Sequence, residues 1–189
     1  MKKDLGSLPA LFPMPVLMIA TYDENGVVDV MNAAWGQICD YDKIIISLTK
    51  THKTVSNINL NKAFTVALAD VDHLDRADYF GMVSGNKVKD KFERSGYNAY
   101  KSEHVNAPII EEFPLVMECE LFEIFDTESI YGIVGKIVNV KANEEILDEN
   151  GKIDVTKLNA VMFDQFRNDY YKVGEKVGKA WNAGADLTK

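Results

Sequence analysis

Two long segments rich in Val, Ile, Phe and Tyr, residues 115–125 and 130–141, are separated only by Asp126-Thr127-Glu128-Ser129. Segments of that length and composition across a hairpin-sized connection read as an antiparallel strand pair. Shorter strands precede them. Residues 16–21 run into Asp23-Glu24-Asn25-Gly26, a strong turn because Asn-Gly takes positive φ cheaply, and residues 27–32 form the return arm. Residues 43–48 carry Ile44, Ile45 and Ile46, too β-branched for a helix of that length, and residues 63–68 make another strand. Helices are few and short. One spans 51–61 with Thr51 or Thr54 as its cap, one spans 70–80, one spans 87–94 before Gly96, and one is capped by Asp154 and runs to residue 162. A polar loop covers 101–114, residues 148–151 make a further turn, and residues 170–177 end the ordered core. This rhythm predicts a mainly β fold, a closed or partly closed barrel with helices plugging its ends, and not a doubly wound sheet.

The 189 residues suit one domain with a substantial core, and no linker or repeat divides them, so a single domain over 1–189 is expected, its core about 13–178. A net charge of −8 leaves no basic surplus to neutralise phosphates, which argues against a nucleic-acid partner. No apolar run reaches the roughly 20 residues a membrane helix needs. The N-terminal apolar stretch is broken by Asp4, Pro9, Pro13 and Pro15, unlike a secretory leader. Cys39 and Cys119 are isolated, which fits buried thiols in a cytoplasmic protein. No His, Cys or carboxylate set has metal-ligand spacing, and no catalytic triad stands out.

The chemistry concentrates between Val28 and Leu68. Two apolar strands there bracket a small loop ending in Trp35 and a Ser/Thr-rich basic cluster that opens a helix. Free backbone N–H groups, hydroxyls and a lysine beside a buried strand suit a phosphate-bearing cofactor. No Gly-x-Gly-x-x-Gly follows a strand, so the dinucleotide fingerprint is missing. On pattern alone, Trp35 is more often a core or interface aromatic than a cofactor wall, Lys53 is as readily a solvated helix start as a phosphate ligand, His73 reads as an exposed helix start, and Lys87, Lys89 and Lys91 read as a solvated face.

The order Asn32-Ala33-Ala34-Trp35, Ser47-Leu48, Thr51-His52-Lys53-Thr54, Ser84-Gly85 with Lys91-Phe92, and Tyr171-Lys172-Val173-Gly174-Glu175 resembles the flavin reductase-like family, which includes flavoredoxins. The resemblance runs from about Pro13 to about Gly178. It implies a split β-barrel with a few short helices, and a homodimer holding FMN near the subunit interface. Residue by residue, Thr51, Lys53 and Thr54 would meet the phosphate, with His52 a backbone-positioned loop residue among them. Ser47, Leu48 and Thr49 would face the ribityl chain and ring edge. Asn32, Ala33 and Ala34 would allow close approach to the pyrimidine side, Trp35 would wall the ring or the dimer interface, and Lys91 would line the open side of the flavin.

The sequence departs from the family at one place. Where many NADH-dependent members carry Gly-Asp-His, the Asp-His positions hold Ser129 and Ile130. The expected function is an FMN-dependent oxidoreductase with the use of a nicotinamide left open. The alternative is a non-enzymatic FMN-binding electron carrier serving a partner protein. A pyridoxamine-phosphate-oxidase-type enzyme is disfavoured, because no basic set suits a second phosphate.

Overall fold

The computed structural model describes residues 1–188. Lys189, the last residue of the expected single domain, lies outside the described residues. In chain order the strands and helices are β1 (Met14–Pro15), β2 (Leu17–Tyr22), β3 (Val28–Ala33), β4 (Gly36–Asp40), β5 (Lys43–Ser47), α1 (Lys53–Asn61), β6 (Ala63–Leu68), α2 (Leu74–Met82) and α3 (Lys91–Ser95). They continue with β7 (Ala99–Lys101), β8 (Pro108–Ile110), β9 (Leu115–Asp126), β10 (Tyr131–Ala142), α4 (Val155–Leu158), β11 (Val161–Asp164) and β12 (Asp169–Lys172). The fold is the split β-barrel with short helices.

Seven strands form one antiparallel sheet in the order β3-β2-β6-β9-β10-β5-β4. Its two edge strands, β3 and β4, are consecutive in the chain and joined by Ala34 and Trp35 alone. A link that short forces the opposite edges of the sheet together, so the sheet curls and leaves a seam at Ala34–Trp35. A three-stranded sheet, β1-β11-β12, lies apart from it.

Strand β2 shows why the interior is double. Leu17 and Ile19 pack inside the barrel with Ile44, Ile46, Phe64, Val66 and Ile133, and Val55 and Ile58 of α1 plug that core. Met18 and Ala20, on the opposite face, pack with Ala77 and Phe80 of α2 and with Ile109, Ile110 and Phe113. A strand buried on both faces reads as a continuous apolar run, as β2 does. Gly135, at a register shift between β9 and β10, is required by close approach. A Cβ there would lie 2.4 Å from Phe64 Cζ.

Several expectations need correction. Strand β4 was not foreseen: Gly-Gln-Ile-Cys-Asp lacks β-branched density and is almost wholly exposed as an edge. The helix expected to reach residue 162 stops at Leu158, because Asn159 turns left-handed at φ 52°, and the chain then enters β11. The helix expected over 87–94 is α3, since residues 84–88 form a turn with the Lys87 and Val88 N–H groups on Ser84 O. The polar loop expected over 101–114 holds β8, which pairs back onto β7 at its start. Helix α1 starts at Lys53 with no side-chain cap from Thr51 or Thr54. Only Cys119 is a buried thiol, pushed up to about 12 by burial and Glu118, whereas Cys39 is exposed. His73 is part-buried at the start of α2, its Nδ1 2.7 Å from Asp70 Oδ1 and its ring edge-on to Tyr97 and Phe113.

Candidate functional site

The seam opens onto a cavity of about 700 Å³. Residues 31–35 supply one wall, and Ser47, Leu48 and Thr49 at the end of β5 supply the next. Backbone bonds fix these two walls. Ser47 N–H donates to Trp35 O at 2.8 Å, and Leu48 N–H donates to Tyr131 O at 3.0 Å. Small side chains at Ala33 and Ala34 leave backbone close to the cavity, while Trp35 is 55% exposed at its rim. Across from them lie Asp78, Gly81 and Met82 of α2 and Phe163 and Tyr170 of the C-terminal hairpin.

A second, narrower cavity of about 230 Å³ adjoins the first, sharing Met31, Asn32, His52, Gly81 and Met82 as common walls. Its own lining includes Asp29, Lys53, Thr54, Ser84, Gly85 and Lys91. All the residues that the sequence assigned to the cofactor therefore line one cavity or the other except Thr51. That residue is exposed, its carbonyl accepting a hydrogen bond from Asn86 Nδ2 at 2.9 Å. Lys91 lines the narrow cavity with Lys53, away from the broad one.

Charge in the narrow cavity is organised in pairs. Lys53 Nζ donates to Asp23 Oδ2 at 3.0 Å, with the two side chains only 11% and 8% exposed. Burial pushes the Asp23 carboxyl up, but Lys53 and the N–H groups of Val27 and Asn25 together hold it below the ordinary carboxylate range. Thr54 Oγ1 donates to buried Asp29 at 2.9 Å. Gly85 lies so close that a Cβ would come within 2.2 Å of Asp29 Oδ1. Lys91 is only 4% exposed. Among the described residues its ammonium makes one hydrogen bond, to Phe80 O at 2.8 Å in the last turn of α2. Burial lowers its pKa, Asp29 opposing and Lys53 adding to the effect. An ammonium has three N–H donors, so Lys91 keeps donor capacity for an anion.

His52 stands at the junction, in the N-cap position of α1, which has neither a side-chain cap nor an acidic residue in its first turn. Its Nδ1 is buried and lacks a hydrogen-bond partner among the described residues. Burial and then Lys91 lower its pKa, with Asp29 opposing.

The broad cavity's far wall is fixed by Asn32 Nδ2 donating to Ala77 O at 3.0 Å and Tyr170 O–H donating to Asp78 at 2.9 Å. Burial and Asp78 push the Tyr170 phenol up to about 12, so it stays protonated at neutral pH. Ser129 lines this cavity, whereas Ile130 is exposed. Sequence reasoning missed Asp29, Asp78, Gly81 and Tyr170 as wall residues. A carboxylate between Val28 and Val30 in a buried strand was a usable signal for Asp29. Asp78 and Tyr170 are 92 residues apart and carry no local signal.

Comparison with known proteins follows the same line. The sequence profile described as the flavin reductase like domain matches residues 9–165. The flavoredoxin of Desulfovibrio vulgaris (Miyazaki F) is 35% identical and superposes with a TM-score of 0.92, covering 97% of this chain and 100% of that one. The flavoredoxin from Methanosarcina acetivorans is 26% identical with a TM-score of 0.88, covering 98% of this chain and 100% of that one. An FMN-binding domain of a flavin reductases-like enzyme from Shewanella baltica OS155 shares the fold at 16% identity, with a TM-score of 0.74 over 87% of this chain and 88% of that one. The profile match spans most of the sequence, and the chain belongs to the flavin reductase-like family.

Proposed function

We propose that the protein is an FMN-binding oxidoreductase that passes electrons through the bound flavin. The observation that carries this reading is the joined pair of cavities: a broad one whose walls mix small and apolar side chains with hydrogen-bonding groups, and a narrow one holding Lys91, Lys53 and His52. A flat ring with a chain ending in a phosphate has that division of shape and charge. The fit is specific at the narrow end, where His52 Nδ1 is buried without a partner among the described residues and the first turn of α1 has no side-chain cap. Lys91 and His52 would hold the phosphate, with Lys53 held beside them by Asp23. Ser47, Leu48 and Thr49 would face the ribityl chain, and Asn32, Ala33, Ala34 and Trp35 the ring. FMN supplies the one- and two-electron chemistry when bound. The chain's own part is to bind, orient and shield the ring; Tyr170 is a neutral donor on the far wall, its hydroxyl held by Asp78.

Titration of flavin-free protein with FMN, riboflavin and FAD, read by fluorescence quenching, tests this. FMN should bind best, since the narrow cavity offers no second diphosphate cradle. Absence of quenching by FMN would end the reading. A second reading, a non-enzymatic electron carrier for a partner protein, is favoured by Ser129 and exposed Ile130 standing where nicotinamide-using members carry Asp-His. Turnover of NADH or NADPH decides between the two. Edge strand β4 with Ile38 exposed, and Phe122 and Val138 exposed on β9 and β10, support a homodimer. Light scattering should then give twice the 21.2 kDa chain mass. Among the described residues no helix is long and apolar enough to cross a membrane.

A further inference from the structure

His52 is the one ionisable residue of the basic cluster that lines both cavities. We propose that His52 takes up a proton when a phosphomonoester enters the narrow cavity, so that recognition of the anionic end of the ligand is proton-linked; this rests on the FMN reading above. The geometry supplies the reason. Nδ1 is buried at the junction and has no partner among the described residues, so in the free protein an added proton there would be desolvated with nothing to accept it. The charged and polar groups that line the narrow cavity with it are Lys53 and Thr54 of α1, Asp29 of β3 and Lys91 of α3, and Asp23 of the β2–β3 turn is bonded to Lys53 from outside that lining. Across the broad cavity lie Tyr131 of β10, Asp78 of α2 and Tyr170 of β12, the last two bonded to each other. The two lysines and the carboxylates of Asp23 and Asp29 cancel formally, and burial together with Lys91 keeps the free imidazole neutral.

A phosphate dianion changes both conditions. It brings two negative charges into a cavity balanced without them, and it is an acceptor without a proton to give. Both effects favour imidazolium, because a nearby opposite charge and a hydrogen bond to the charged form each raise a histidine's pKa. A neutral imidazole carrying its proton on Nδ1 would make the same bond with no proton uptake, and the two states differ in a measurable proton count.

Calorimetry of FMN binding to the flavin-free full-length protein at pH 7.5, in phosphate-free buffers of low and high ionisation heat, counts that proton. The expected uptake is about one half to one proton, with FMN affinity falling about three- to tenfold per pH unit between pH 7 and 8.5, tenfold being the ceiling for one proton. The second ionisation of the phosphate, at about 6, lies below this window. Riboflavin, lacking the phosphate, should show neither effect. His52→Asn keeps a neutral amide donor near the place of Nδ1 and should bind FMN with a flat pH profile, its riboflavin affinity reporting that it is folded. FMN binding by the wild-type protein with no proton uptake would overturn the inference while leaving the FMN reading intact. Uptake that persists in His52→Asn would overturn it too, moving the proton to Lys91. Failure of FMN to bind at any pH would remove both.

Discussion

Replacing the two lysines of the narrow cavity separately, as Lys91→Met and Lys53→Met, should split affinity from stability. Both ammonium groups line the same space, but their partners differ. Lys53 is neutralised by Asp23 at 3.0 Å, so an anion beside it meets a dipole. Among the described residues Lys91 has a single carbonyl partner and no contacting carboxylate to match its charge. A charge-assisted contact is worth about 1.5–3 kcal/mol, so Lys91→Met should weaken FMN about 10- to 150-fold. Lys53→Met should cost the ordinary hydrogen-bond value of about 0.5–1.5 kcal/mol, or roughly 2- to 12-fold. Riboflavin should bind both variants like the wild type.

Stability should rank the other way. Lys91→Met loses the bond to Phe80 O but relieves a buried ammonium, two opposing changes that leave the variant within about 1 kcal/mol of wild type. Lys53→Met strands the Asp23 carboxylate, at a cost on the order of 1–3 kcal/mol at pH 7. The sign with pH follows from Asp23, whose pKa is lowered in the folded state. Its stabilising contribution is present above the ordinary carboxyl pKa of about 3.9 and lost as pH falls through the folded value. The deficit of Lys53→Met should therefore shrink in acid. Urea melts at pH 7 and pH 3.5, with FMN and riboflavin titrations at pH 7, make the comparison. If Lys53→Met loses more FMN affinity than Lys91→Met while both remain folded, the assignment of the phosphate to Lys91 is wrong.

Two other perturbations test the frame that holds the site. Gly135→Val would force a side chain against Phe64 Cζ, already 2.4 Å from a Cβ position, and overpacking of this kind costs about 1–3 kcal/mol or more. Gly174→Ala, with open space around it, should leave Tm unchanged, and equal Tm values for the two variants would refute the close approach. Glu118, wholly buried, accepts from Ser102 Oγ and Asn139 Nδ2, while Ser102 Oγ accepts from the N–H groups of His104 and Val105, each at 2.9 Å. Glu118→Ala strands two donors at about 1–3 kcal/mol each and should speed amide exchange at His104 and Val105 well before global unfolding. Exchange at wild-type rates would show that Glu118 does not hold that loop.

Much of the barrel was legible because its strands are buried on one or both faces. The runs at β2, β5 and β6 and the long β9–β10 pair announce themselves through Val, Ile and Phe, and the Asn25-Gly26 turn fixes the first hairpin. What escaped were elements whose stability comes from partners distant in sequence. Strand β4 is a polar edge that forms because β5 is beside it, and β11 and β12 are four residues each, a hairpin anchored by β11 pairing with β1 from the other end of the chain. Helix boundaries slipped where a left-handed residue, Asn159, or a turn on Ser84 O outweighed local propensity.

The site was legible to a different depth. Residue types in the segments 32–35 and 47–54 pointed to a phosphate-bearing ligand, and the fold brings those segments to one place across the seam. Which cation remains available to an anion is not a property of those segments. It depends on Asp23 reaching back to Lys53 from the preceding hairpin turn, and on α3 carrying Lys91 under the end of α2, where a lysine that looks solvated by pattern becomes one of the most buried charges in the protein. A basic cluster in sequence thus names the chemistry, but the pairing of its charges is decided by tertiary contacts. Lys53 is the conspicuous residue of the motif, and the structure gives Lys91 and His52 the free valence.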